Sequence, residues 1–345
     1  MNQAAGGEPS VYDVTIIGGG PAGLYAAFYA GMRDLSVKIL EGGDKLGGFL
    51  HTYAEKRIWD VGGLPPIRCA LLVEHLVRQA ATFDPTIQCR TRVDGLTRRA
   101  DGLLELRTDS GALHLSRTVI IAVGRGIAEP HRLELDGAQL YELTNLHYTV
   151  TDPTRYRDKR VLVSGGGNSA VDWALELAEL GARVTVVHRQ SAFRAMERNV
   201  ALMHERADVR TPCRLARLHG AGARIAQVTI EQLDSGRSET LEVDEVVVFH
   251  GYSASGLVMA QWGLESEEGI LRVNARTATA VPGVFAAGDC ASYPSKVRLI
   301  AGAFNDAILA VNSAKQYLDP NAAGMAYVSS HNEVFRSRNP DIAGG

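Results

Sequence analysis

The residues Gly18-Gly19-Gly20-Pro21-Ala22-Gly23 stand directly behind an apolar run, Val11 to Ile17, and ahead of an Ala-rich stretch that continues through Gly31. A strand that turns sharply into a helix presents free backbone N–H groups and the positive end of the helix dipole, an arrangement suited to a pyrophosphate. In such a G-x-G-x-x-G turn Gly18 makes the bend, Gly20 admits the ligand to the backbone, and Gly23 lets helix and strand pack closely. The next apolar run, Val37 to Leu40, ends at Glu41, twenty-three residues after Gly18. That is near the offset of about twenty at which a carboxylate meets the ribose hydroxyls of a dinucleotide.

The same grammar recurs. Lys159 to Ser164 leads into Gly165-Gly166-Gly167-Asn168-Ser169-Ala170, a helical stretch follows to Leu180, and the next strand, Arg183 to Val187, ends at His188, again twenty-three residues on. Here the chemistry at the strand end is inverted. A basic group at that place accommodates an adenosine 2′-phosphate, where an acid would bind a free hydroxyl. His188, Arg189 and, after Ser191-Ala192-Phe193, Arg194 favour NADPH over NADH. Gln190 stands where a second consecutive arginine would grip phosphate oxygens bidentately.

These turns need sheets and helices to carry them. A third apolar run, Thr118 to Val123, ends at Gly124 just before the second unit, and Gly283 to Ala287 leads into Gly288-Asp289 after it. Two apolar strands therefore bracket the second unit, and glycines mark both crossings (Gly124, Gly126, Gly251). The expected architecture is α/β: two Rossmann-like three-layer dinucleotide-binding domains, the second inserted in the first. The expected boundaries are 1–124, 125–250 and 251–345. Glycine-bearing double crossings suit a hinge.

With 345 residues the chain exceeds one ordinary hydrophobic core, which agrees with two domains. A net charge of -3, with no basic run beyond Arg98-Arg99, argues against a nucleic-acid binder. No stretch reaches the ~18–20 apolar residues of a membrane span, and Met1 to Ser10 lacks the parts of a signal peptide, so a soluble cytoplasmic protein is expected. Cys69, Cys89, Cys213 and Cys290 are too scattered for a disulfide scaffold or metal-ligand spacing, and no metal site is expected. His147, His188, His250 and His331 likewise lack a metal-binding or acid–base pattern.

Taken together, the motifs resemble the thioredoxin-reductase-like flavoproteins from Val11 to about Phe335. Thioredoxin reductase carries a Cys-x-x-Cys pair shortly before its second glycine motif. The corresponding stretch here, Asn145 to Asp152, has no cysteine, which removes the vicinal thiols that disulfide exchange requires. The chain is more similar to the ferredoxin/flavodoxin-NADP reductases of this fold in Tyr53-Ala54-Glu55-Lys56, Asp60 to Gly63, Asn145 to Tyr148, Ser169 to Ala174 and Tyr293 to Ala301. The resemblance implies FAD at the first unit, held by Gly18, Gly20, Pro21, Ala22, Gly23, Glu41, Gly48 and Val93, with Ala122 and Gly124 beside the turn. It places Asp60 near the flavin or its ribityl chain, Asp289 after Gly288 on the ribityl-phosphate part, and the helix start at Ile300 and Ala301 by the pyrimidine edge. NADPH falls to Gly165, Gly167, Asn168, Ser169, Ala170, His188, Arg189 and Arg194. Tyr53 is expected on one flavin face. A C-terminal tail from the other subunit covers the second face through Tyr327 or His331, Tyr327 being preferred.

The implied reaction asks for no protein nucleophile or acid–base pair; the protein stacks two rings at about 3–3.5 Å and tunes their surroundings. The insert is expected to rotate at its crossings to bring them together. Ferredoxin or flavodoxin is the expected acceptor, and a homodimer the expected assembly. Arg90, Arg92, Arg98 and Arg99 form either a docking patch for an acidic carrier or, as the preferred reading, a solvated strand face. An FAD-dependent oxidase or dehydrogenase acting on a small molecule, and a low-turnover redox-sensing nucleotide-binding protein, are the alternatives.

Overall fold

A computed structural model describes residues 10–126, 128–254, 261–267 and 269–326. The chain forms two compact units, one from residues up to 127 together with those from 254 onward, the other from 128–253.

In the first unit the strand Val11–Ile17 lies between Val37–Leu40 and Leu113–Ile121, parallel to both. Thr86–Gln88 and Val284–Ala286 extend the parallel set outside them. The central segments Val14 to Ile17, Val37 to Leu40 and Thr118 to Ile121 are buried on both faces. On one face Val14, Ile16, Val37, Ile39 and Ile120 pack with the helices Pro21–Met32, Cys69–Ala80 and Ile300–Leu318 through Leu24, Ala27, Leu72, Leu76, Ala307 and Val311. On the other, Ile17, Leu40, Val119 and Ile121 meet Leu96, Leu104 and Leu106 of the antiparallel strands Val93–Arg98 and Leu104–Thr108. The third layer is thus an antiparallel ribbon instead of further helices.

The second unit repeats this plan. A parallel sheet runs in the order Leu146–His147, Glu245–Phe249, Arg160–Gly165, Arg183–Val187, Asp208–Arg210. Val161, Val163 and Val186 face Ala170, Trp173, Leu177 and Met203 of the helices Asn168–Glu179 and Glu197–Arg206. Leu162, Val187 and Val248 face Leu215, Val228 and Ile230 of the antiparallel sheet Cys213–Ala221, Arg224–Gln232, Ser238–Glu242. Each glycine turn therefore sits at the carboxyl end of a strand in mid-sheet, where open α/β sheets hold their ligands. No helix among the described residues is long and apolar enough to cross a membrane.

Candidate functional site

The first turn is shaped by contacts that exclude side chains. Gly18 has φ +104°, and a Cβ there would lie 2.6 Å from the carbonyl oxygen of Ala122. At Gly23 a Cβ would fall 1.9 Å from Gly18 O, so helix and strand touch through bare backbone. Gly20 and Gly48 meet backbone to backbone, a Cβ on Gly48 falling 3.1 Å from the Gly20 Cα, and Gly47 N donates to Gly19 O at 2.8 Å beside them. The helix starting at Pro21 has no side-chain cap. A turn of bare backbone ending on uncapped N–H groups fits a pyrophosphate.

Glu41 stands beside this turn with its carboxylate already engaged: Oε2 accepts from Gly19 N and Oε1 from Gly43 N, both at 2.6 Å. A ribose bound there must share or displace these amides. Burial raises the Tyr53 phenol well above its ordinary range, and the thiol of Cys69 and the carboxylates of Asp289 and Asp60 push it the same way. Cys69, Asp60 and Asp289 thus all lie within electrostatic reach of this phenol. Phe49 meets Tyr53 edge-on, ring centroids 5.7 Å apart. Asp60 itself is exposed, Val93 is half-buried, and Gly124 has open space on its Cβ side. Gly288 rests on Ala22 of the first helix, and Arg125 lies 3.9 Å from the Asp289 carboxylate. Ile300 and Ala301 open the helix Ile300–Leu318, again with no side-chain cap. Tyr327 and His331 lie outside the described residues.

The second turn repeats the first in detail. A Cβ on Gly165 would lie 2.6 Å from Phe249 O, whereas Gly167 has nothing within 4 Å. Asn168 and Ser169 are exposed at an uncapped helix start, Ala170 is buried beneath them, and Asn168 Oδ1 accepts from Met196 N at 3.2 Å. Arg194 N donates to Gly166 O at 2.8 Å, which carries the 191–196 loop back to the turn. Arg189 and Arg194 are exposed beside it, as is Gln190. His188 behaves differently from a simple basic group. Its ring lies over Gly166 and 5.0 Å from Phe193, and burial, seconded by Arg189 and Arg194, lowers its pKa from 6.5 despite the bond to Ala192 O. Burial thus works against a charged imidazole, which leaves the charge beside this turn to the two arginines.

The segment that holds a dithiol in thioredoxin reductases is here tied into the sheet. His147 Nε2 bonds Glu245 Oε2 at 2.8 Å, and the fully buried Glu245 carboxylate also meets Lys159 at 2.7 Å, Arg224 at 3.2 Å and Arg155 at 3.5 Å. Burial alone would raise its pKa, but the bonds to His147 and Lys159 hold it at about 2. His250 Nε2 pairs with Ser164 Oγ at 2.8 Å. All four cysteines are free thiols, three of them buried, and no metal-binding cluster exists among the described residues. Of the arginines considered for docking, Arg98 donates to the Tyr317 hydroxyl at 3.2 Å and Arg99 pairs with Asp101 at 3.2 Å. Arg90 and Arg92 are exposed. One buried cluster escapes motif reading: Asp306 takes the amide of Gly288, the hydroxyl of Tyr293 and the ammonium of Lys296. Its signal is an acid on the apolar stripe Ala303, Ala307, Ala310.

Comparison with known proteins agrees with this geometry. Ferredoxin–NADP reductase 1 of Shouchella clausii is 47% identical over 336 residues, covering 97% of each chain. Its namesake in Bacillus velezensis is 49% identical over 326 residues, 94% of this chain and 97% of the relative. Among solved structures, thioredoxin reductase of Lactococcus lactis in its FR conformation superposes with a TM-score of 0.76 at 26% identity, covering 89% of this chain and 99% of the other. Thioredoxin reductase of T. acidophilum gives the same TM-score of 0.76 and 26% identity, over 90% and 99% of the two chains. The pyridine nucleotide-disulphide oxidoreductase pattern matches residues 12–312, and the chain belongs to that family.

Proposed function

We propose that this protein is an FAD-dependent oxidoreductase that takes electrons from NADPH and delivers them to ferredoxin. The observation that carries the reading is the pairing of two uncapped glycine turns whose strand-end partners differ in charge, an acid at Glu41 and arginines at 189 and 194, in a chain with no dithiol beside them. Bound FAD supplies the chemistry, accepting an electron pair and releasing electrons singly. The chain's own residues position and tune. The uncapped N–H groups of the Gly18–Gly23 turn would hold the FAD pyrophosphate, and Glu41, now bonded to Gly19 and Gly43, would accept from ribose hydroxyls. Tyr53 offers an un-ionised ring for stacking. The uncapped start of the helix at Ile300 favours negative charge on the flavin's pyrimidine edge. Residues 125–250 form the NADP-binding domain, in which Arg189 and Arg194 take the 2′-phosphate.

Flavodoxin is a second acceptor of the same kind, and a homodimer in which Tyr327 or His331 of one subunit covers the other's flavin completes the site. Free thiols throughout suit a reducing, cytoplasmic compartment. The test is NADPH-dependent reduction of ferredoxin, flavodoxin and thioredoxin by the purified yellow protein. Turnover with either of the first two and none with thioredoxin is expected. Rapid flavin reduction that no carrier can discharge, with rapid reoxidation by a small molecule, would overturn it.

A further inference from the structure

Asp306 is fully buried on a helix whose neighbouring inward positions are alanines, and a carboxylate there is expensive unless its oxygens are filled. They are. Oδ2 accepts from Gly288 N at 2.9 Å and from the Lys296 ammonium, and Oδ1 accepts from the Tyr293 hydroxyl at 2.6 Å. Lys296 is itself only 5% exposed. A buried ion pair of this sort adds little net stability compared with an apolar pair of similar volume. What it does supply is a fixed acceptor for the backbone of a turn. On the other side of that turn Arg298 donates to Asp289 O at 3.0 Å, so the Gly288–Asp289 segment is gripped at its leading N–H and its trailing C=O. Gly288 has φ +79°, and a Cβ there would sit 3.0 Å from the Cβ of Ala22, so the turn is seated directly on the helix that opens the first glycine motif. Burial and the Asp306 bond push the Tyr293 phenol up to about 12, which keeps it a donor across the working pH range.

We propose that Asp306, filled by Lys296 and Tyr293, is a positioning residue of the flavin site: with Arg298 it locks the Gly288–Asp289 turn against the helix Pro21–Met32, so that the turn stands ready for FAD. This rests on the flavin reading given above. The test titrates FAD into the full-length apoprotein, following the quenching of flavin fluorescence, beside the apoprotein's thermal melting. Asp306→Ala, which strands three donors, raises the FAD Kd about tenfold or more. Asp306→Asn restores most of the affinity, to within about threefold of the unaltered chain, because its carbonyl oxygen still accepts from Gly288 and its amide donates to the Tyr293 oxygen. Arg298→Ala removes an exposed side chain; it weakens FAD at least about threefold with the apoprotein melting unchanged, a result that a purely structural role would not give. If Asp306→Ala does not fold, the Arg298→Ala and Asp306→Asn proteins carry the test. A folded Asp306→Ala protein, or an Arg298→Ala protein, that binds FAD as tightly as the unaltered chain overturns the proposal. Failure of the unaltered chain to bind FAD would instead sink the flavin reading on which it rests.

Discussion

Half-burial of His188 against Phe193 and the Gly166 backbone leaves Arg189 and Arg194 as the charges beside the second turn. Arg189→Ala should therefore weaken NADPH about tenfold while NADH stays within about twofold, since only the 2′-phosphate loses a charged hydrogen bond. The concentration dependence of flavin reduction by the two nucleotides measures this, and equal losses would assign Arg189 to some other part of the ligand. Burial keeps the Tyr53 phenol un-ionised, the state in which its ring would stack on the flavin. Tyr53→Phe is expected to retain FAD within about twofold, whereas Tyr53→Ala loses about tenfold in FAD affinity, the value of a stacked aromatic contact. Flavin fluorescence titration separates the two, and a Phe variant as weak as the Ala variant would give the hydroxyl a direct role.

The two glycine turns show what an element demands and what a ligand demands. Gly165→Ala would force a Cβ to 2.6 Å from Phe249 O at a φ of +152°, so its melting temperature falls along with nucleotide binding. Gly167 adopts extended backbone with open space beside it, so Gly167→Ala should melt normally and yet lose NADPH, its new methyl occupying the phosphate's place. A Gly167→Ala protein with unchanged NADPH affinity would mean that the pyrophosphate lies elsewhere. These turns were legible in the sequence because strand, glycine spacing and helix are local and each has its own pattern. Val14 to Ile17 and Val161 to Val163 are buried on both faces, and such short runs ahead of a glycine turn read as parallel core strands. The antiparallel layers were not legible: Val93–Arg98 and Cys213–Ala221 alternate only loosely, and register shifts interrupt their pairing. Asp306 was hidden for another reason. Its partners lie 10 to 18 residues away and meet it only once the helix Ile300–Leu318 packs. The lowered pKa of His188 was hidden because residue type does not disclose burial.

At the scale of the whole molecule, acid sensitivity and electron delivery follow from different parts. Glu245 is held at about 2, below the ordinary 4.5, by its bonds to His147 and Lys159. A group whose pKa is depressed by folding contributes stability that is complete above about pH 4.5 and is lost as the pH falls toward 2, on the order of a few kcal/mol. Acid unfolding followed by circular dichroism should show this limb, and Glu245→Gln should flatten it while lowering stability at neutral pH, because Lys159, Arg155 and Arg224 then surround an uncharged side chain. An unchanged acid limb would place the sensitive group elsewhere. His147, in the stretch Asn145 to Asp152 where the resemblance to thioredoxin reductases would put a dithiol, is instead tied to Glu245, and no two of the four cysteines are paired. The most direct measurement is anaerobic stopped-flow reduction of the flavin by NADPH and by NADH, followed by mixing of the reduced protein with ferredoxin. The account predicts reduction by NADPH faster than by NADH and rapid electron transfer to ferredoxin; indifference to the 2′-phosphate, or reduced flavin that ferredoxin cannot reoxidise, would contradict it.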